Sequence, residues 1–421
     1  MKSIAILVSL ILGLAGCTGK TLVSEQLPEE MNPQQTAPVV VQEEEPEPVT
    51  HTLRLTAIGD IMCHSWQYNE AYDSATDSYD FHHNYQDMKA YFDQADLVVG
   101  NMETVFAGTE NGCSDFPTFN SPDAFAQAAK DGGVDLVTTA NNHCMDQREA
   151  GLLRTLDVLD EVGLLHMGTY RSQAERNQVL FVEKNGIKLA FLSYTYGTNG
   201  IPVAQDYEVN LMDEALIRAD IAKAKEGNPD FIIVMPHMGN EYETYPWEVF
   251  QDWANMMIDA GADIILASHP HVLQPMEVRE VQQADGTTRQ AFVIYSLGNF
   301  ISSQTTPPRN ASILLNLELE KTDGQQPLIR EVSFVPIWTQ FRNVAEEDHF
   351  IVRSVYQMLS LPEEELRATV RAKDITRLWE IHDETTAMYF GSPVPVEDMQ
   401  DEYLFYSYPA SVVAEQADVA A

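Results

Sequence analysis

Positive charge is scarce in this chain. Its 421 residues carry 25 Lys and Arg against 64 Asp and Glu, a formal net charge of −39. So acidic a composition excludes nucleic acid as a partner, because phosphate backbones are bound through clustered basic residues. It also opposes non-specific adhesion to anionic lipid, and it favours solubility in an ion-rich medium. An anionic substrate would have to be drawn in by local cations, which directs attention to metals. Cysteine is scarce too: Cys17, Cys63, Cys113 and Cys144 are the four. None has a Cys-x-x-Cys spacing, so a zinc knuckle is excluded. Beyond residue 14 no apolar run approaches the ~20 residues that a spanning helix needs. Internal repeats are absent.

The amino-terminal region reads as an export signal. Lys2 precedes an apolar run over residues 4–14, the length of a signal-peptide core. The run closes in Leu14-Ala15-Gly16-Cys17, which resembles a bacterial lipobox. That resemblance implies cleavage before Cys17 and diacylation of its thiol; the alternative is an ordinary secretory signal with a chance cysteine. Acyl chains on Cys17 would anchor the chain to the membrane and leave the rest extracytoplasmic. Residues 18–50 contain no aromatic residue and are rich in Pro, Glu, Gln and Val. Such a stretch buries too little apolar surface to offset its chain entropy, so a disordered acidic tether is expected. In an oxidising compartment Cys113 and Cys144 become the candidate disulfide pair, with Cys63 left over.

From residue 51 onward short β-rich runs alternate with helical patterns. The runs fall at 53–58, 97–100, 136–139, 188–194, 231–236, 264–267, 292–296 and 313–319. Helical patterns cover 122–131, 147–162, 214–225 and 248–260, and the last two should stop near Gly227 and Gly261. Continuous apolar runs such as Phe231-Ile232-Ile233-Val234-Met235 predict strands covered on both faces, hence an α/β fold. Asp285-Gly286 reads as a hairpin turn, which makes the sheet mixed. Beyond Pro336 the character changes, with helical patterns over about 349–359 and 363–382. The expected organisation is a main domain over 51–340 and a helical C-terminal extension over 341–421.

Metal-ligand side chains stand where the candidate strands end, the place open α/β sheets put their sites. Residues 53–58 run into Gly59-Asp60, and 97–100 into Asn101-Met102-Glu103. The third run leads to Asn141-Asn142-His143 and Asp146, the fifth to His237 and Glu241, and the sixth to His269-Pro270-His271. Singly, each has an ordinary structural explanation, such as a turn asparagine or a hydrogen-bonded histidine. Five strand ends along the chain, each bearing a carboxylate, an Asn or a His, point to a metal site. The oxygen and imidazole ligands suit Zn, Mn or Fe and exclude a thiolate site.

In order along the chain, these motifs resemble the CapA-type capsule-synthesis family: Gly59-Asp60, Asn101-x-Glu103, Asn141-Asn142-His143-x-x-Asp146, His237-x-Gly239-x-Glu241 and His269-Pro270-His271. Tyr295-Ser296-Leu297-Gly298-Asn299-Phe300 fits it too. Such proteins are similar to calcineurin-like metallophosphoesterases, which implies a four-layer αββα sandwich with mixed sheets. The resemblance implies Asp60, Glu103, Asn142, His237, His269 and His271 as ligands, with His143 and Asp60 as catalytic groups. Asn101, Glu241 and Asn299 are the expected substrate contacts. Two positions depart from the pattern. Met62 stands where the phosphoesterases have a ligand histidine, and His64, two residues on, is either a substitute or an ordinary histidine. Asn101 stands at the bridging aspartate, which shifts that role to Glu103. One metal position, from Glu103, Asn142, His237 and His269, is therefore expected to be complete, and the other, from Asp60 and His271, weak. The implied function is metal-dependent hydrolase-like handling of poly-γ-glutamate, a similar anionic cell-surface polymer, or a phosphate ester. The alternative is a non-catalytic accessory lipoprotein that works beside capsule synthase or exporter proteins.

Overall fold

The chain begins one mixed sheet, builds a second, and returns to finish the first. The computed structural model describes residues 48–283, 285–341 and 350–408; Cys17, the lipobox-like segment and residues 18–47 of the expected tether lie outside the described residues. Strands β1 (Thr50–Ile61), β2 (Leu97–Met102), β3 (Leu136–Thr138) and β4 (Leu165–Met167) pair in parallel and open the first sheet. The second sheet follows with β5 (Leu180–Lys184), β6 (Ile187–Thr195), β7 (Phe231–His237), β8 (Ile264–Leu266), β9 (Met276–Gln282) and β10 (Thr288–Ile294), in the order β9-β10-β8-β7-β6-β5. The hairpin at Asp285-Gly286 joins β9 to β10 in antiparallel register. The chain then adds β11 (Asn299–Ile301), β12 (Ala311–Thr322), β13 (Leu328–Gln340), β14 (Ile351–Ser354) and β15 (Tyr403–Ser407) to the first sheet.

Period-two side-chain alternation explains why so many strands are apolar throughout. Along β7, Phe231, Ile233 and Met235 face the first sheet, where Leu53, Leu55 and Ala57 of β1 share one core with them. Ile232 and Val234 face the other way, onto Ile217, Ile221 and Met257. Those residues belong to α3 (Glu214–Glu226) and α4 (Glu248–Ala260), which follow α1 (Ala124–Gly132) and α2 (Arg148–Val162). The outer face of the first sheet, with Ile58, Val98 and Met102, packs on Phe125 and Ala129 of α1 and Leu159 of α2. The layers are therefore helix, sheet, sheet, helix, the four-layer α/β arrangement expected. Local signals fix the helix ends. The Asp213 side chain accepts the Leu216 N–H at the start of α3, and Gly261 takes φ 117° to close α4.

The C-terminal region is helical over α5 (Val355–Leu359), α6 (Glu363–Thr369) and α7 (Ala372–Phe390), and it also returns strands to the first sheet. Residues 351–354 are the strand β14 rather than the start of a helix, because they pair with residues 337–340 of β13. Glu402 accepts hydrogen bonds from Arg54 at 2.7 Å and from Asn316 at 2.8 Å, fastening the segment before β15 to β1 and β12. The expected Cys113–Cys144 disulfide is not formed, and all three cysteines of the described residues are free thiols. Packing accounts for this: Cys144 is buried with Leu152 and Val209, while Cys113 lies 3.6 Å from the Tyr79 hydroxyl. No helix among the described residues is long and apolar enough to cross a membrane.

Candidate metal centre

Two close approaches of backbone set the position of Asp60. A Cβ on Gly59 would lie 2.0 Å from the Gly298 carbonyl oxygen, so only glycine lets β1 pass so near the 297–298 turn. The Asp60 N–H donates to that same oxygen at 2.9 Å. The β1–β2 register shifts between Ala57 and Asp60, an irregularity of the kind that re-aims side chains at strand ends. Beyond it Asp60 stands opposite Asn101 of β2 and Asn299 of β11.

The histidines arrive from the second sheet. His237 ends β7, and His269 and His271 follow β8 with φ of 104° and 59°. Non-glycine residues rarely take positive φ, and such strain clusters at functional sites. Here it resolves a difficulty of sequence spacing: the two bends turn alternate residues, separated by Pro270, toward one centre. The His269 ring lies 4.8 Å from that of His237 and 5.9 Å from that of His271.

Glu103 is the hub. Ligand atoms of Glu103, His269 and His271 lie within 4.8 Å of one another, and so do those of Asp60, Glu103 and His237. Glu103 Oε1 is 3.5 Å from His237 Nε2 and 3.8 Å from His271 Nε2, with no hydrogen bond of its own. His269 Nδ1 is likewise buried without a partner. Unpartnered buried oxygen and nitrogen atoms are costly unless they serve a ligand. His237 Nε2 also meets Asn142 Oδ1 at 2.7 Å. The donors thus divide into two triads sharing one carboxylate, whereas the sequence grouped Asp60 with His271 alone. His64 belongs to neither triad. Its Nδ1 accepts from the Ser303 N–H at 3.3 Å, and its ring packs on Phe119.

Electrostatics prepare these groups for a cation. Burial pushes His269 down to about 3, with help from His271 and His143, and burial holds His237 well below its ordinary value. Neutral imidazoles keep a lone pair for a metal. The Glu103 carboxyl is raised well above its usual value, first by burial and then by Asp60 and Glu241. A bound divalent ion would reverse that penalty. His271 Nδ1 lies 3.1 Å from Asp60 Oδ2 and 3.0 Å from Asn299 Oδ1. Both are acceptors, so the network assigns the proton to Nδ1 and leaves Nε2 on the Glu103 side.

A cavity of about 230 Å³ opens above the cluster, lined by Met62, His64, Phe119, His143, Glu241, His271 and Arg309 among others. His143 Nδ1 lies 2.6 Å from Asp146 Oδ2, which also accepts the Phe119 N–H at 2.7 Å. The Asp146 contact fixes the ring with Nε2 as its free nitrogen. Of the expected substrate contacts, Glu241 lines this cavity. Asn101 is buried instead, donating to Asp60 at 2.8 Å and to Glu103 at 3.3 Å, and Asn299 supports His271. The sequence reading placed Asp146 among the strand-end side chains but gave it no part in orienting His143, although its place three residues on was a usable signal. It passed over Ser268, whose Oγ is 2.9 Å from His237 Nδ1, and Arg309.

Carboxylates from one sheet and imidazoles from the other, converging at strand ends, define the candidate metal centre of an α/β protein. Residues 54–304 match the family described as Bacterial capsule synthesis protein PGA_cap, and the chain belongs to that family. It is 28% identical over 285 residues to the "Capsule biosynthesis protein CapA" of Bacillus anthracis, covering 65% of this chain and 66% of that one. It is also 28% identical over 274 residues to the "PGA biosynthesis protein CapA" of Bacillus subtilis (strain 168), covering 64% and 68%. The chain thus spans about two thirds of the length of these relatives. Among solved structures it aligns with the calcineurin-like phosphoesterase YfkN from Bacillus subtilis at 16% identity and a TM-score of 0.42, over 79% of this chain and 99% of that one.

Proposed function

We propose that this chain is a metal-dependent hydrolase of capsule synthesis, acting on an anionic cell-surface polymer of the poly-γ-glutamate kind or on a phosphate ester. One observation carries the reading: Glu103, buried and without a hydrogen bond at Oε1, is common to two triads of ligand atoms. The donor set fits a divalent ion such as Mn, Zn or Fe. Asp60, Glu103 and His237 would hold one ion and Glu103, His269 and His271 a second, with Asn142 beside His237. Such an ion supplies Lewis acidity and makes a water more acidic. His143, oriented by Asp146, presents Nε2 as proton donor to a leaving group or as partner for charge developing on oxygen. Asn101 holds the Asp60 and Glu103 carboxylates together by donating to both. The relatives' names, capsule biosynthesis and PGA biosynthesis, support the polymer class. Acylated Cys17 would hold the domain at the outer face of the membrane, near synthase or exporter proteins.

A second reading is an accessory lipoprotein whose ion is structural. Met62, on the cavity wall where the resemblance expects a ligand histidine, favours it. The two readings separate by experiment. Metal content of the full chain should fall in Glu103→Ala and in His269→Ala, and unchanged content in both would remove the centre as drawn. Turnover of a generic phosphodiester or of a γ-glutamyl polymer should be lost in His143→Ala. A metal-loaded chain that turns over neither substrate would decide for the accessory reading.

A further inference from the structure

Among the described residues, Arg309 is the one Lys or Arg side chain lining the cavity above the metal-ligand cluster. Acidic groups far outnumber basic ones in this chain, and its arginines are accordingly taken up. Among the described residues every arginine except Arg148 and Arg309 forms an ion pair with a carboxylate. Arg148 is exposed at the start of α2, whereas Arg309 is half-buried at the cavity. Even Glu241, on the same cavity wall, forms no ion pair with it.

The guanidinium of Arg309 is held in place. It lies over the Tyr242 ring, 4.6 Å from the centroid. Its backbone carbonyl accepts from Asn299 Nδ2 at 3.1 Å, and Asn299 Oδ1 meets His271 Nδ1 at 3.0 Å. One asparagine thus fixes the loop bearing the cation relative to a ligand histidine. Stacking on an aromatic face restrains a guanidinium, and the Arg309 Nε donates to the Thr306 carbonyl at 3.4 Å, so the terminal Nη groups are the ones left to a ligand. A planar fork of this kind matches the two oxygens of a carboxylate or phosphate. A larger cavity of about 510 Å³ beside α7 has Leu273, Pro307, Met388 and the carboxylate of Glu384 in its wall and no Lys or Arg among the described residues that line it, so it is the poorer place for an anion.

We propose that Arg309, oriented by Tyr242, is an oxyanion subsite that takes a carboxylate or phosphate group of the substrate next to the group held at the metal-ligand cluster. This rests on the cluster being the reaction centre. In a polymer with an anionic group on every repeat, one unit would sit at the cluster while its neighbour engages Arg309. Binding there would set which bond is presented.

The test is calorimetric titration of the full chain with inorganic phosphate and, separately, with glutarate as a dicarboxylate, each with Mn²⁺ and after EDTA treatment. Arg309→Ala should weaken binding by about tenfold or more, the range for a hydrogen-bonded charge pair, without changing metal content or melting temperature. Arg309→Lys should recover part of the loss, because a point charge lacks the fork. Dependence confined to one anion would support the subsite and name its group. Arg309-dependent binding that persists after EDTA, in a chain that holds no metal, would uphold the subsite while the metal reading fails. A metal-loaded chain whose affinity for both anions is unchanged in Arg309→Ala, or that binds neither anion, would overturn the subsite and leave the metal reading standing.

Discussion

At the strand ends of the first sheet stand Asp60, Asn101 and Glu103, carboxylates and an amide. At those of the second stand the imidazoles of His237, His269 and His271, the first two kept neutral by burial. Each triad draws from both sheets: Asp60 and Glu103 with His237, and Glu103 with His269 and His271. The first sheet collects negative charge at a buried point, at a cost that only a cation would offset. The second contributes donors without charge. Neither half is a candidate metal site alone, so ion binding there would report on the packing of one sheet against the other.

The largest effect should come from loosening that packing. Phe292 is fully buried in the core shared by the sheets. Phe292→Ala should cost ~3–5 kcal/mol in denaturant unfolding and reduce bound metal at the same time. Full metal content in a chain so destabilised would break the link between packing and site. Next in size is the shared carboxylate. At a hundredfold excess over its Kd, an ion stabilises the fold by about 2.7 kcal/mol. Glu103→Gln should lose that gain in thermal melts with and without Mn²⁺, since both triads need the carboxylate.

A third prediction concerns the opposite end of the second sheet. Asp263, just before β8, accepts the Ile232 N–H at 2.8 Å and pairs with Arg289, yet burial pushes its carboxyl up to about 6. Folding therefore raises its proton affinity above that of the unfolded chain. Stability is greatest below the unfolded value near 4 and declines as pH rises through about 6. Asp263→Asn should flatten unfolding free energy over that window, and an unaltered pH profile would exclude this carboxyl as its source. The smallest effect should be that of His269→Ala on metal content: the ion shared with His271 is lost, and the one held by Asp60, Glu103 and His237 stays.

The strands that position the site were legible because they are apolar on both faces, as in Phe231–His237, and so read clearly by composition alone. The first sheet's return was less legible. Leu328–Gln340 contains Pro336, which reads as a strand breaker, yet it pairs on both sides. Residues 351–354 have a helix directly after them, so a single helical period absorbed both. Site chemistry was readable as residue type at strand ends, but its grouping was not. That grouping depends on positive φ at His269 and His271 and on the contact of Gly59 with Gly298, and sequence periodicity encodes neither. Arg309 escaped notice for a related reason: it lies in a loop, and only the folded cavity shows that it is the cation there.

The return of the chain to its first sheet also imposes a chronology. Residues 180–294 complete the second sheet without needing any later strand. β1, though made first, waits for β11 and β12 to satisfy one of its edges, with Asp60 set opposite Asn299 and Arg54 reaching Glu402 across 348 positions of sequence. Pairings so distant are slow to form, because the connecting chain must close before it gains the contact. The imidazole half can thus be in place while the carboxylate half is still unassembled. Capture of an ion at the candidate centre would then be one of the last events in maturation, after the strands that frame Asp60 have arrived.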